Sequence, residues 1–303
     1  MITILTPSYN RAKMIETAIQ SVIDQNYPEI EHIIVDGGSA DGTLNVLKKY
    51  HYLRVVSEPD QGMYDALNKG LSMATGEIIG FLNSDDFYAP NVFAQIAGLF
   101  EKENIDAVAG LAAVVQQTTE NSHNSVLLHP GKGEALIRHI TLEAPIFNAY
   151  FFSKRVFQKI GAFNAQYKIA ADRDFMLRFV LASFNTAYID QPVYYYLQHP
   201  GSMTMDYCGA RFGDTVDEHL MISHAYLASQ KRFSHRLLES LVELRTRDTI
   251  RACAHCLRHK ELDKAWFYIL EGFRYQPLWG FRFIKHAITH PIRQKIGLPY
   301  RFP

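Results

Sequence analysis

Gly76-Glu-Ile-Ile-Gly-Phe-Leu-Asn-Ser-Asp-Asp-Phe-Tyr88 is the stretch from which the fold can be read. Ile78 to Leu82 is a short apolar run, long enough for a strand buried on both faces and too short for a helix. It stops at Asn83-Ser84-Asp85-Asp86. Adjacent carboxylates repel, and burying them unpaired costs several kcal/mol. In open α/β sheets, ligands bind beyond the carboxyl ends of strands. A hard divalent cation, Mg²⁺ or Mn²⁺, takes carboxylate oxygens and would carry a phosphate ligand. The competing reading is a solvated turn that caps a following helix with Pro90 in its first turn.

Working outward, Ile2–Thr6 reads as a first strand, and Pro7-Ser-Tyr-Asn-Arg11 as a loop. Residues 12–24 place Met14, Ile15, Ala18, Ile19 and Val22 at helical spacing. His32–Asp36 is a second core strand, again ending in an acid, and Gly37-Gly-Ser-Ala-Asp-Gly-Thr43 leads into a helix at 43–50. Leu53–Ser57 is a third strand, followed by a loop and helix over 58–70. This β-α-β-α-β-α-β order predicts a mainly parallel, twisted sheet with helices on both faces. The acids and glycines after the strands then gather on one edge. There they describe a nucleotide pocket, with Asp36 for a base edge, glycines for close backbone approach and a metal for a diphosphate. Each could also be plain turn chemistry. G-x-G-x-x-G does not follow the first strand and G-x-x-x-x-G-K-[ST] is absent, which disfavours dinucleotide oxidoreductases and P-loop NTPases.

Thr6-Pro-Ser-Tyr-Asn-Arg11, Val35-Asp-Gly-Gly-Ser-Ala-Asp-Gly-Thr43, Glu58-Pro-Asp-Gln-Gly-Met-Tyr-Asp-Ala-Leu-Asn-Lys-Gly70 and Gly80-Phe-Leu-Asn-Ser-Asp-Asp86 together resemble the family 2 glycosyltransferases of the GT-A fold. Within that family the motifs are similar to the bacterial polysaccharide branch that includes the colanic acid enzymes. The resemblance covers about residues 1–205 and implies a nucleotide-diphosphate-sugar donor, a divalent metal (Mn²⁺ or Mg²⁺) and inversion at the anomeric carbon. It implies a donor site drawn from Pro7, Tyr9, Asn10, Asp36, Gly38, Ser39, Asp60, Asp65, Lys69, Asn83 and Ser84, with Pro7 and Asp36 against the nucleobase. Asp85, with Asp86 beside it, would hold the metal; which of the two binds directly stays open. The family pattern is Asp-x-Asp, and its first position here is Asn83, an amide that supplies no charge.

Downstream, a helix is expected at about 90–102, then apolar runs at 107–115 and 126–129 and a helix at 153–160. Asp172 and Asp174 open an amphipathic helix carrying Phe175, Met176 and Phe179. Acids here also complement a helix dipole. The resemblance makes Asp172 the catalytic base and Asp174 a neighbour that orients it or reads the acceptor. Strands follow at 186–190 and 193–197, then His199, either a structural loop histidine or a further metal contact. Residues 209–273 read as helices. Cys253-Ala-His-Cys256 has the spacing of half a zinc site, but a second ligand pair is missing, so close helix packing is the simpler account.

Two rival classes fit these residues less well. A sugar nucleotidyltransferase carries a Gly-rich, basic loop after the first strand, which Thr6–Arg11 does not resemble. A non-catalytic GT-A-like binding protein would have no use for Asp172 with the Asp85/Asp86 pair.

The 303 residues fit one or two domains, divided as a GT-A domain at 1–205 (nucleotide-sugar half about 1–100, acceptor half about 101–205) and a helical, basic region at 206–303. Lys+Arg and Asp+Glu are equal at 31 each, which argues against a nucleic-acid binder. The balance hides an asymmetry: residues 231–303 carry 15 basic and 6 acidic side chains, a net of +9. After Glu271 the only charged residues are Arg274, Arg282, Lys285, Arg293, Lys295 and Arg301, interleaved with aromatics. That mixture suits peripheral contact with an anionic membrane, where a lipid-linked acceptor would lie; packing on the catalytic domain is the alternative. Three cysteines imply no disulfide framework. With an N-terminus unlike a signal peptide and no apolar run of about 18 residues, the expected location is cytoplasmic, or peripheral on the cytoplasmic face of a membrane.

Overall fold

A computed structural model describes residues 1–102, 104–116, 125–143, 145–199, 212–229 and 233–285. The chain divides into two compact units: Met1–Ile140 with Ala144–Met205, and Thr141–Glu143 with Asp206–Pro303.

The first unit is built on one sheet. Its leading strands are β1 (Ile2–Ser8), β2 (Ile30–Asp36), β3 (Arg54–Ser57) and β4 (Ile78–Phe81). They lie in the order β3-β2-β1-β4, all parallel. Helices α1 (Ile15–Ile23), α2 (Thr43–Leu47) and α3 (Met63–Met73) supply the crossovers. Apolar runs become central strands here because both faces are covered; Ile2, Ile4, Ile33, Ile34 and Ile79 are fully buried. Gly80 is required by packing, since a Cβ there would fall 2.7 Å from the Phe151 ring and 2.8 Å from Ile4 Cδ1. Register aligns Ser8 with Asp36 and Asp36 with Ser57, so three strands end level.

Beyond β4 the sheet becomes mixed. The remaining strands are β5 (Phe87–Tyr88), β6 (Ala107–Gln116), β7 (Ser125–Leu128), β8 (Tyr150–Ser153) and β9 (Thr186–Gln198). The path continues β4-β8-β6-β9-β5, with β7 on β6. β8 is antiparallel to β4 and β6, whereas β9 runs parallel to β6. Helices α4 (Phe93–Phe100), α5 (Glu134–Leu142), α6 (Lys154–Ile160) and α7 (Ala171–Leu181) fall between these strands in the chain. Three elements depart from the sequence reading. The helix expected from residue 90 begins at Phe93, because Phe87–Tyr88 first pairs with Tyr194–Tyr195 as a strand. The strands expected at 186–190 and 193–197 are one, with the register irregularity near Pro192 absorbing the break. Helix α5 was not foreseen.

Aromatic side chains join the two halves of this unit. Phe81 of β4 lies 4.8 Å from Phe147 and 5.5 Å from Phe163, centroid to centroid. Phe175 of α7 in turn lies within 5.2–5.6 Å of Phe147, Phe152, Phe157 and Phe163. Offset and edge-on rings of this kind add specific geometry to large apolar burial.

The second unit contains α8 (Phe212–Ala228), α9 (His235–Arg258) and α10 (Leu262–Tyr275), with helix resuming at 279–285. Val216, Leu220, Ile250, Cys253, Cys256, Tyr268 and Trp279 form its core, so both cysteines of the C-x-x-C pair pack inward. Ser234 caps α9 by accepting from the Leu237 amide at 3.3 Å. Asp248, fully buried, accepts from His219 Nδ1 at 2.7 Å and Arg247 Nε at 2.9 Å. Although burial opposes ionisation, Arg247, His219 and Arg251 hold its carboxyl far below the usual range. No helix among the described residues is long and apolar enough to cross a membrane.

His32, buried in β2 between Thr6 Oγ1 at 3.0 Å and Tyr52 OH at 3.3 Å, gives a test of the sheet. Burial lowers its pKa to about 3. The unfolded chain therefore binds a proton below about pH 6.5 that the folded chain refuses. Stability is expected to be complete above pH 6.5 and to fall by up to about 1.4 kcal/mol per pH unit as pH drops towards 3. His32→Gln should flatten that limb in denaturant titrations at stepped pH.

Candidate active site

The level strand ends create a polar edge. Asp36, at the end of β2, is fully buried, and its carboxylate is satisfied by its own loop and by β3. Oδ2 accepts from the amides of Gly38 (3.1 Å) and Ser39 (2.9 Å) and from Ser57 Oγ (2.8 Å), and Oδ1 accepts from Ser39 Oγ (2.5 Å). Gly38 has φ +82°, a left-handed conformation that glycine adopts without strain. Asp36 thus sets the shape of the 37–39 loop, whatever the loop binds.

The loop after β1 is fastened to the same structure. Asn10, itself at φ 53°, donates its amide to Ser39 Oγ at 2.7 Å and accepts from the Ala40 amide at 3.0 Å through Oδ1. Pro7 pairs with Val35 inside β1, so the strand runs two residues beyond its expected end. Tyr9 is left outward, 60% exposed. Asp41 accepts from Ala12 N, Thr43 N and Thr43 Oγ1; the Thr43 hydroxyl and the amides hold its carboxyl below its usual pKa.

After β3, Asp60 Oδ1 accepts from the Gly62 amide at 2.8 Å, and its Oδ2 lies where a Cβ on Gly37 would be, 2.6 Å away. Gly37 is therefore a place of close approach between two loops. Lys69 Nζ lies 2.9 Å from Glu58 and 3.6 Å from Asp65, and donates to the Pro59 carbonyl at 3.1 Å. Asp65 also accepts from the Gln61 amide. Asp60, Asp65 and Lys69 are in this way tied into one loop-to-α3 unit.

At the end of β4 the two adjacent acids diverge. Asp86 turns inward: Oδ2 accepts from Tyr194 OH (2.8 Å) and Asn83 Nδ2 (2.9 Å), and Oδ1 from the Leu197 amide (2.9 Å). Burial first, and then the Asp85 charge, push its pKa to about 7 against those three donors. Tyr194 OH also accepts from Asn148 Nδ2 and the Asn83 amide. Asp85 faces the other way, with Oδ2 3.0 Å from His199 Nε2 just past the end of β9. Both side chains remain partly accessible, and Ser84 is buried between the acids and Asn83 in the chain. Of the sequence-derived metal candidates the structure therefore pairs Asp85 with His199, while Asp86 is an internal joint. Asn83 donates to Asp86, an interaction that a carboxylate at position 83 could not make.

Asp172 and Asp174 also separate. Asp174 is buried and ion-paired to Arg178 Nε at 2.9 Å. Arg178 also donates to the carbonyls of Ile160, Gly161 and Ala162, so the Asp174–Arg178 pair fastens the turn from α6. With Arg173, Asp174 and Leu177 buried as well, α7 is enclosed on most sides, not amphipathic as expected. Asp172 Oδ1 accepts from the Arg173 amide at 2.7 Å. Burial raises its pKa, with the Arg173 charge and the Tyr64 side chain opposing. Tyr64, from α3, donates to the Ile169 carbonyl at 3.0 Å and so spans from the head of α3 to the start of α7. Tyr64, Tyr194 and Asn148 were missed. Only Tyr64 lay in a recognisable motif.

A parallel sheet with loops of this kind at its strand ends, closed by a mixed second half, defines a GT-A α/β domain. S. aureus TarS, in its 1–349 crystal structure with UDP-GlcNAc, has the same fold: TM-score 0.62 over 100% of this chain and 93% of that one, at 18% identity. The mannosyltransferase PcManGT from Pyrobaculum calidifontis, crystallised with GDP-Man and Mn²⁺, gives 0.60 over 96% and 86%, at 16% identity. A PGL/p-HBAD biosynthesis glycosyltransferase of Mycobacterium bovis is 31% identical over 185 residues, 59% of this chain and 69% of that protein. The Bacillus subtilis glycosyltransferase EpsJ is 26% identical over 233 residues, 73% of this chain and 66% of that protein. The chain belongs to glycosyl transferase family 2, whose model matches residues 3–161.

The divergence of the two acids is testable by stability alone. Asp86→Ala leaves Tyr194 OH, Asn83 Nδ2 and Leu197 N without an acceptor and is expected to cost roughly 3 kcal/mol. Asp85→Ala, at a partly accessible position, should change stability by less than about 1 kcal/mol. Equilibrium urea unfolding of the two variants measures the difference.

Proposed function

We propose that the protein is an inverting glycosyltransferase that moves a sugar from a nucleotide-diphosphate donor to a glycan or lipid-linked acceptor in cell-surface polysaccharide synthesis. The observation that carries this reading is the Asp172 carboxyl at the head of α7, raised in pKa by burial and tied to the donor-side helix through Tyr64. Family membership and the fold shared with proteins crystallised with UDP-GlcNAc or GDP-Man support the donor class.

In this reading the donor lies along the strand-end edge. The exposed Tyr9 ring and Pro7 take the nucleobase, with Asp36 holding Gly38 and Ser39 in place beside it. Asp60, Asp65, Lys69, Asn83 and Ser84 frame the ribose and diphosphate. A carboxylate and an imidazole 3.0 Å apart suit a divalent ion such as Mn²⁺, so Asp85 and His199 are the residues that would hold it. When bound, such an ion would neutralise charge on the departing diphosphate. Asp86 keeps the Asp85 backbone in place by anchoring the loop to β9. Asp172, ionised, accepts the proton of the acceptor hydroxyl as that oxygen attacks the anomeric carbon from the face opposite the leaving group. A single in-line displacement inverts the anomeric centre, and the proton ends on Asp172.

Asp172→Asn keeps the shape and loses the base. Transfer is expected to fall by roughly two to four orders of magnitude while donor binding is retained, as read by product formation and by isothermal titration with nucleotide diphosphate. Near-normal transfer in that variant would remove Asp172 from the role. The wild-type rate should also fall on the acid side at a higher pH than an exposed aspartate would set. Asp85→Ala and His199→Ala should each weaken Mn²⁺-dependent nucleotide-diphosphate binding at least ten-fold, with binding in chelator unchanged. Incubation with a panel of nucleotide sugars separates the rivals. Release of nucleotide diphosphate supports the transferase, and pyrophosphate chemistry a nucleotidyltransferase.

A further inference from the structure

Helix α10 has two apolar sides. One packs inward through Ala265, Tyr268 and Gly272, where a Cβ on Gly272 would fall within 2.4 Å of the Trp279 ring. The other faces outward. Leu262, Trp266, Leu270 and Phe273 follow one another at steps of three and four residues and share one face of the helix. They are 66%, 61%, 55% and 47% exposed. Phe281 and Ile284, also exposed, extend the apolar surface beyond the helix. A run of large exposed side chains about 17 Å long is more than scattered surface apolarity and marks a binding face.

Charge identifies what it meets. Exposed basic residues stand at both ends of the stripe, with Arg258, Lys260 and Lys264 near Leu262, and Arg274 and Lys285 towards the other end. Glu261 and Asp263 are the exposed acids beside them, and Glu261 is paired to Lys264 at 2.9 Å. Five exposed bases against two exposed acids leave this face net positive. A second copy of the chain would bring two positive faces together; an anionic lipid surface would not. Trp and Phe between basic rims match the boundary of headgroups and acyl chains, where an amphipathic helix sinks its apolar side about 5–10 Å. We infer that the outer face of α10, centred on Trp266 and Leu270, docks the protein on anionic bilayers. This places the contact on residues 262–284, earlier in the chain than the basic tail singled out from the sequence, whose residues from 286 onward lie outside the described residues. The inference stands independently of the transferase reading, because docking is measured without donor or acceptor.

The experiment uses full-length protein and vesicles of phosphatidylcholine with and without phosphatidylglycerol. The chain is expected to co-sediment with the anionic vesicles, and less so as salt rises. Trp266→Glu/Leu270→Glu, a change of exposed residues only, should lower partitioning at least ten-fold with unchanged thermal unfolding. The chain has two tryptophans, and Trp279 is 2% exposed, so the exposed indole reports separately. Its emission should shift to the blue on vesicle addition, and Trp266→Phe should abolish the shift while partitioning persists. Equal partitioning of wild type and Trp266→Glu/Leu270→Glu, no binding to anionic vesicles, or a shift that survives Trp266→Phe would each overturn the inference. So would a dimer in analytical ultracentrifugation that the double substitution dissociates, because the face would then be covered by a second copy.

Discussion

A buried carboxylate must find donors, and Asp86 finds them 108 residues away at Tyr194 and slightly further on at Leu197. That requirement joins the parallel half of the sheet to the strand that closes the mixed half. Without it the loop after β4 would carry two repelling charges and no anchor. With it, one acid is used up internally and the other is presented beside His199. The division of labour follows from geometry, since neighbouring residues in a tight loop point in different directions. The raised pKa of Asp86 reflects the cost of this arrangement, which its three donors only partly offset.

The same logic recurs around the edge. Asp36 is spent on shaping the 37–39 loop, Asp41 on fixing the loop before α2, and Asp174 on Arg178 and the turn after α6. Asp172 differs from this set: burial raises its carboxyl pKa, against the Arg173 charge and bonds from the Arg173 amide, the Tyr64 side chain and its own amide. The aromatic cluster around Phe147 and Phe175 holds the head of α7 against β4, so the proposed base and the strand-end acids share one rigid support.

Much of the first unit was legible because its strands are short apolar runs that stop abruptly at acids or glycines, with helical spacing between them. β1 to β4 and α1 to α3 came from that pattern alone, with ends displaced by a few residues. Helix α5 and strand β5 were not legible. Phe87–Tyr88 is two residues long and is a strand only because Tyr194–Tyr195 lies opposite. Pro192 looked like a break, but a bulge absorbs it. The different fates of Asp85 and Asp86 could not be read from the chain, because a distant tyrosine decides them. The structural role of Asp174 could have been, since Arg178 stands four residues on. In the second unit the helices were legible, and the inward packing of Cys253 and Cys256 agrees with their spacing on one helix.

The pairing of β9 has one more implication. Side chains along a strand alternate between faces, so sliding β9 by one residue would offer Tyr195 in place of Tyr194 and turn His199 away from Asp85. The irregularity between Ala109 and Ala112 on β6 therefore acts as a vernier, setting the phase in which the far end of β9 arrives. A one-residue deletion near Pro192 could leave the sheet intact and still dismantle the Asp85–His199 pair. Insertions and deletions in that bulge, far in sequence from Asp85, would be tolerated by the fold and refused by the chemistry.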